Sequence, residues 1–324
     1  MEMIFEILKA VLIGVVEGIT EWLPISSTGH MILVDEFVKL DVSPTFLELF
    51  LVVIQLGAIM AVLILYFHKL NPFSPRKSEE QRRGTWRLWG MVVVGCIPAA
   101  AIGLTLDDFF NEHFYNAWTV AIALVAYGVV FIVLERRNRA RVAQAREKAL
   151  AESAMGRGKH ARVENDEEGG EFDEDSLFRV RTVDDIDWKT ALKIGCFQML
   201  AIIPGTSRSG STIIGGMLCG CSRTAATEFT FFLAIPVMFG WGVLKTVKYV
   251  AELGFVMTAT EVAVLVVGIV TAFVVSVISI KFLMGYIKKN DFTAFGWYRI
   301  TVGVIVLAYF GAKAAGLFSA LGVE

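Results

Sequence analysis

The chain has 324 residues, 55% of them hydrophobic and only 19% charged, with a formal net charge of −2. A soluble domain lies nearer half apolar and a quarter charged, so an ordinary soluble protein is excluded and an integral membrane protein is indicated. A balance this close to neutral offers no basic surface for nucleic acid, which is excluded as a partner.

In chain order, an apolar helical run over 3–23 is broken by Pro24-Ile25-Ser26-Ser27-Thr28-Gly29 and followed by a shorter run over 30–40. Spans are predicted at 46–67, 87–106 and 117–134, each near the roughly 18–20 apolar residues that cross a bilayer. A polar insert over 135–189 turns from basic (Arg136, Arg137, Arg139, Arg141, Arg146) to acidic, with Glu164, Asp166, Glu167, Glu168, Glu171, Asp173, Glu174 and Asp175 close together. Such a block reads as a disordered, solvated linker. Beyond it come 190–203, the turn Pro204-Gly205-Thr206-Ser207-Arg208-Ser209-Gly210-Ser211-Thr212, a run to 220, and spans at 228–250, 261–284 and 297–315. The acidic Glu2 and Glu6 argue against a cleavable signal. The four cysteines read as small packing residues, since Cys219-x-Cys221 does not suit a zinc pair.

Loop charge sets an orientation. The loop 69–87 carries Lys69, Arg76, Lys77, Arg82, Arg83 and Arg87 and is read as cytoplasmic; 107–116 has acids and no Lys or Arg and is read as external; the insert is internal again. Lys288 and Lys289 place 285–296 inside, and the 31 residues of 190–220 are too few for two crossings of about 20 each. They are therefore expected to form a re-entrant hairpin with the polar turn at its tip. A shift of 181 residues lays Gly14, Glu17, Ser26 and Gly29 over Gly195, Gln198, Ser207 and Gly210. The expected fold is an all-α polytopic bundle with two re-entrant hairpins in an inverted repeat. The halves are 1–134 (hairpin 3–40) and 190–324 (hairpin 190–220), joined by the cytoplasmic insert 135–189.

Glu17 and Glu21, four apart, share a helix face. Two carboxylates within a membrane segment are costly. They could hold a hard divalent cation, act as a general base or orient a histidine; the plain alternative is a pair wetted at the membrane edge. His30 follows Ser26, Ser27 and Thr28, and either His30 or Ser27 could be the nucleophile, the other choice for His30 being the base of Ser27. Arg208, with the hydroxyls of Ser207, Ser209, Ser211 and Thr212 and the amides around Gly210, suits a diphosphate. Its plain reading is an ion pair with Glu17 or Glu21. The turn lacks the lysine of a Walker A loop, has no cysteine nucleophile, and is not followed by the His-x-x-x-Asp of acid-phosphatase-type enzymes.

The run Glu17-Gly18-Ile19-Thr20-Glu21-Trp22-Leu23-Pro24-Ile25-Ser26-Ser27-Thr28-Gly29-His30 and the run Pro204 to Thr212, with Val53-Ile54-Gln55-Leu56-Gly57 and Ala226-Thr227-Glu228-Phe229, closely resemble the undecaprenyl-diphosphate phosphatase (bacitracin-resistance) family. The resemblance spans nearly the whole chain except the insert near 136–187, which is longer than expected. It implies hydrolysis of undecaprenyl diphosphate to undecaprenyl phosphate and inorganic phosphate, recycling the cell-wall lipid carrier. It also implies a Mg2+ or Ca2+ near Glu17 and Glu21, catalytic roles for Glu17, Glu21, Ser27, His30 and Arg208, diphosphate binding by Ser26 and the 207–212 turn, and a bacterial plasma-membrane site open to the outer face. Partners are then the polyprenyl diphosphate and membrane lipids, with a homodimer left open. The rival reading is a polyprenyl-phosphate transporter, since inverted repeats with midplane hairpins suit transport.

Overall fold

One face of the helix Ala259–Ile287 carries Val262, Val266, Val270, Val274, Ile278 and Phe282, all exposed, while the opposite face buries Val264, Gly268, Ala272, Ser276, Ile280 and Leu283. Large apolar residues outside, with Gly268, Ala272 and Ser276 in the middle of the inner face, are what a helix needs when its solvent is lipid and its neighbours must come close. In this computed structural model the described residues are 2–154, 174–254 and 256–316. They form eleven α-helices and no strand.

In order these are α1 (Glu2–Thr20), α2 (Ser27–Phe37), α3 (Pro44–Leu65), the single turn α4 (Phe67–Leu70), α5 (Glu79–Phe114), α6 (Ala117–Ala154), α7 (Trp188–Gln198), α8 (Arg208–Leu218), α9 (Arg223–Leu253), α10 (Ala259–Ile287) and α11 (Thr293–Ala314). Among the described residues, α3, α5, α6, α9, α10 and α11 are long and apolar enough to cross a membrane. Their starts follow local chemistry: Ser43 caps α3 with Pro44 in its first turn, Ser222 caps α9, and Thr258 with Glu261 forms a reciprocal box at α10.

Two segments bear on the expected insert. Residues 135–154 are not linker but the continuation of α6. Glu135, fully buried there, accepts from Arg223 Nε and Nη2 at 3.1 and 2.8 Å and from the Phe292 amide at 3.2 Å. Residues 174–187 form two short 3₁₀ turns and a bridge from Val180 to Cys221, with Val180, Val183 and Ile186 in the core. Apolar anchors at that spacing hold the segment down. Of the acidic run, 164–173 lies outside the described residues. All four cysteines are free; Cys221 is buried, whereas Cys196 is exposed and so is not a packing residue.

The helices pair by exchange. Helix α1 packs on α10 and α7 packs on α5, so the first helix of each half lies on the other half's second span, while α3 meets α9 and α6 meets α11. Close approach depends on glycine at equivalent places. A Cβ on Gly14 would lie 2.9 Å from the Gly268 carbonyl oxygen, and one on Gly195 would strike the Gly95 carbonyl.

Candidate active site

The site grows out of the two interruptions, between α1 and α2 and between α7 and α8. Helix α1 stops at Thr20, the chain turns through 21–25, and Ser26 at φ +76° caps α2, its hydroxyl accepting from the Gly29 amide at 3.3 Å. In the second half a 3₁₀ turn over Met199–Ile202 leads through Gly205 to Ser207 at φ +72°, which caps α8 and accepts from the Gly210 amide at 3.1 Å. Ser26 and Ser207 are the two non-glycine residues with positive φ among those described. They are the same pair that the 181-residue shift superposes. Each such conformation costs on the order of 1–3 kcal/mol and persists only where its surroundings enforce it, typically at functional sites.

The two interruptions meet at Glu21. Its Oε1 accepts from Arg208 Nη2 at 3.0 Å and Nε at 3.3 Å, and its Oε2 accepts the Ser27 hydroxyl at 2.6 Å. Arg208 also donates to the Thr230 carbonyl at 3.0 Å, and the buried Ser209 hydroxyl donates to the Glu21 carbonyl at 3.1 Å. Ser27 and Arg208 are the first residues of α2 and α8, so side chains from two helix starts converge on one carboxylate. The carboxylate–arginine pair anticipated as the plain reading of Arg208 is present, with Glu21 rather than Glu17.

Glu17, one turn earlier, is 1% exposed and its Oε1 has no hydrogen-bond partner. Among the described residues no three His, Cys, Asp or Glu side chains gather as a metal cage. An unpartnered carboxylate oxygen beside a second carboxylate nevertheless fits a hard cation that draws its remaining ligands from phosphate and water, as Mg2+ commonly does.

His30 sits apart from this cluster's hydrogen bonds. Its Nδ1 bonds the Ser26 carbonyl at 2.7 Å, which can only accept, so Nδ1 carries the proton; Nε2 then accepts from the Tyr298 hydroxyl at 2.8 Å, and the two rings stack 5.7 Å apart. The other anticipated donors divide by exposure. Ser207 and Arg208 are half-buried, while Ser26, Ser209, Gly210, Ser211 and Thr212 face inward. Thr212 donates to the Arg208 carbonyl at 2.9 Å and accepts from Thr230 at 2.8 Å, and Ser211 bonds Tyr127 at 3.3 Å. These inner hydroxyls shape the turn. The sequence reading missed Tyr127, Thr230, Tyr298 and the fully buried Arg299, all in stretches read as plain spans. A cleft of about 1620 Å³ lies elsewhere, bordered by Arg139, Arg146, Lys288 and Lys289.

A multi-pass helical membrane protein with an arginine and a serine, each opening a helix, gathered at one of two paired carboxylates has the groups to handle an anion at a membrane. The model of the bacitracin resistance protein BacA family matches residues 10–305, and this chain belongs to that family. Undecaprenyl-diphosphatase of Enterococcus faecalis is 52% identical over 301 residues, covering 93% of this chain and 96% of the relative. The undecaprenyl-diphosphatases of Desulfitobacterium hafniense and Lactiplantibacillus plantarum are 53% and 50% identical, over 95% and 94% of this chain and 97% and 98% of their own.

Proposed function

We propose that this chain is an undecaprenyl-diphosphate phosphatase of the bacterial plasma membrane, releasing inorganic phosphate and undecaprenyl phosphate. The observation that carries the mechanism is the 2.6 Å hydrogen bond from the Ser27 hydroxyl to Glu21. A serine with a carboxylate base in contact is the arrangement of an activated nucleophile. Ser27 Oγ attacks the terminal phosphorus, its proton passes to Glu21, and the bond to the bridging oxygen breaks, so undecaprenyl phosphate leaves. Glu21 gives that proton to the departing undecaprenyl phosphate; water then hydrolyses the phosphoserine, with Glu21 taking the water's proton and returning it to Ser27 Oγ. Arg208 and the N-termini of α2 and α8 stabilise the charge on the transferring group. A divalent cation held by Glu17 and Glu21 would supply further charge neutralisation at the phosphate oxygens. His30, a neutral base tied to Tyr298, is the alternative proton carrier. The site opens toward the outer face, as the family resemblance implies, and the C55 tail lies in an apolar groove open to lipid.

The exchange of helices between halves favours one second reading, a transporter of polyprenyl phosphate. Phosphate release from farnesyl or undecaprenyl diphosphate by purified protein in detergent separates the two, since detergent leaves no compartments. Release that EDTA abolishes and Mg2+ or Ca2+ restores is expected. Release that survives EDTA removes the cation from the mechanism, and no release from folded protein moves transport to first place.

A further inference from the structure

Arg299, on α11, is 0% exposed, and no Asp or Glu is within ion-pairing distance among the described residues. An arginine without a carboxylate in a membrane protein needs a reason. Its nitrogens supply one. Nη1 donates to the Pro24 carbonyl at 3.0 Å, and Nη2 donates to the Gly205 and Thr206 carbonyls at 2.7 and 3.0 Å. One of these carbonyls precedes strained Ser26 and two precede strained Ser207. The guanidinium lies 5.4 Å from the centre of the Tyr127 ring, which supports it from α6. Gly210 lies beside it, and a Cβ there would stand 3.3 Å from Nη1.

We infer that Arg299 is the positioning residue of this site: its planar fork ties the two interruptions together through their backbone carbonyls. Three carbonyls lying just ahead of two residues with positive φ have to find donors, and a rigid guanidinium can reach both chain segments at once where an ammonium cannot. The tie acts just before Ser27 and Arg208, so it fixes how the two helix N-termini aim at the same point. Arg299 touches no reacting atom in this scheme. Its kinetic consequence rests on the phosphatase reading; its structural consequence does not.

The experiment is hydrogen–deuterium exchange on parent and Arg299→Lys in detergent, with kinetics on farnesyl diphosphate. Lysine keeps the charge and loses the fork. Exchange is expected to rise together over 21–27 and 203–210 and to stay unchanged in α3 and α10. A misplacement of about 1 Å costs on the order of a hundredfold in rate, so kcat should fall by about that factor while KM moves less than about threefold. Should Arg299→Lys fail to fold, Tyr127→Leu removes the supporting ring: it should lower kcat and loosen both segments, and Tyr127→Phe should recover most of the loss. Unchanged exchange at either interruption, or loosening spread evenly through the bundle, overturns the inference. A parent that exchanges as described but releases no phosphate overturns the phosphatase reading alone.

Discussion

Arg208 and Arg299 are both withdrawn from solvent, yet their surroundings give them different work. Arg208 meets a carboxylate and is half-buried, so it can exchange that partner for a phosphate. Arg299 is held through Nη1 and Nη2 by carbonyls that are part of the backbone and cannot leave, while its Nε has no partner. Arg208→Ala is therefore expected to reduce phosphate release by at least about 10²–10³-fold, the usual cost of removing a preorganised charge-stabilising donor. Thermal melting in detergent would confirm that the variant folds, and near-normal hydrolysis would remove Arg208 from the chemistry. The difference between the two arginines explains what could be read from sequence. Arg208 stood in a hydroxyl-rich turn that advertised it. Arg299 followed Trp297 and Tyr298 near a span's end, where an arginine usually reaches out to the interface, and hydropathy along one dimension cannot say whether it turns in or out.

Among the elements, spans and interruptions were legible because apolar length and Pro, Gly and Ser breaks are local properties. The extension of α6 was not. Residues 135–154 were read by charge, whereas their Ala, Arg, Glu, Gln and Lys content is that of a strong helix former. Glycine gives a test of the exchanged packing. Gly195→Val drives a side chain into the α5 backbone and should destabilise by about 1–3 kcal/mol or more. Gly84→Ala, with nothing within 4 Å of the new carbon, should be neutral or stabilising by up to about 1 kcal/mol. Equal effects in chemical denaturation would contradict the close α5–α7 approach. Outside the membrane, the Thr182 amide and hydroxyl both donate to Asp185, at 2.9 and 2.8 Å, and these bonds hold its carboxyl below the ordinary aspartate value. A depressed folded value means the contribution is complete above about pH 4, the unfolded aspartate range, and fades as pH falls through the lower folded value. The parent should thus melt above Asp185→Asn near neutrality, with the gap closing on acidification. A gap that widens in acid would show the sign to be wrong.

At the scale of the whole molecule, the site exists only where two halves of the chain cross. Glu21 and Ser27 come from one half and Arg208 from the other, 187 positions beyond Glu21, and the strained serines that aim them occupy matching places in each. Weak identity at a fixed shift was enough to suggest the correspondence, but not the exchange of α1 and α7 between halves, which depends on contacts no linear pattern encodes. One contact has a consequence for affinity. In the proposed site the Glu21 carboxylate, held by the Ser27 hydroxyl and Arg208, lies where the diphosphate would bind, so it would act as a competitive inhibitor, tethered and always at high local concentration. A diphosphate would displace Oε1 from Arg208 while Oε2 keeps the Ser27 hydroxyl. Glu21→Gln should accordingly bind a non-hydrolysable farnesyl methylenediphosphonate about tenfold more tightly, a gain of about 1.4 kcal/mol, while turning over diphosphate far more slowly. Weaker binding in metal-free buffer would mean that Glu21 competes with nothing.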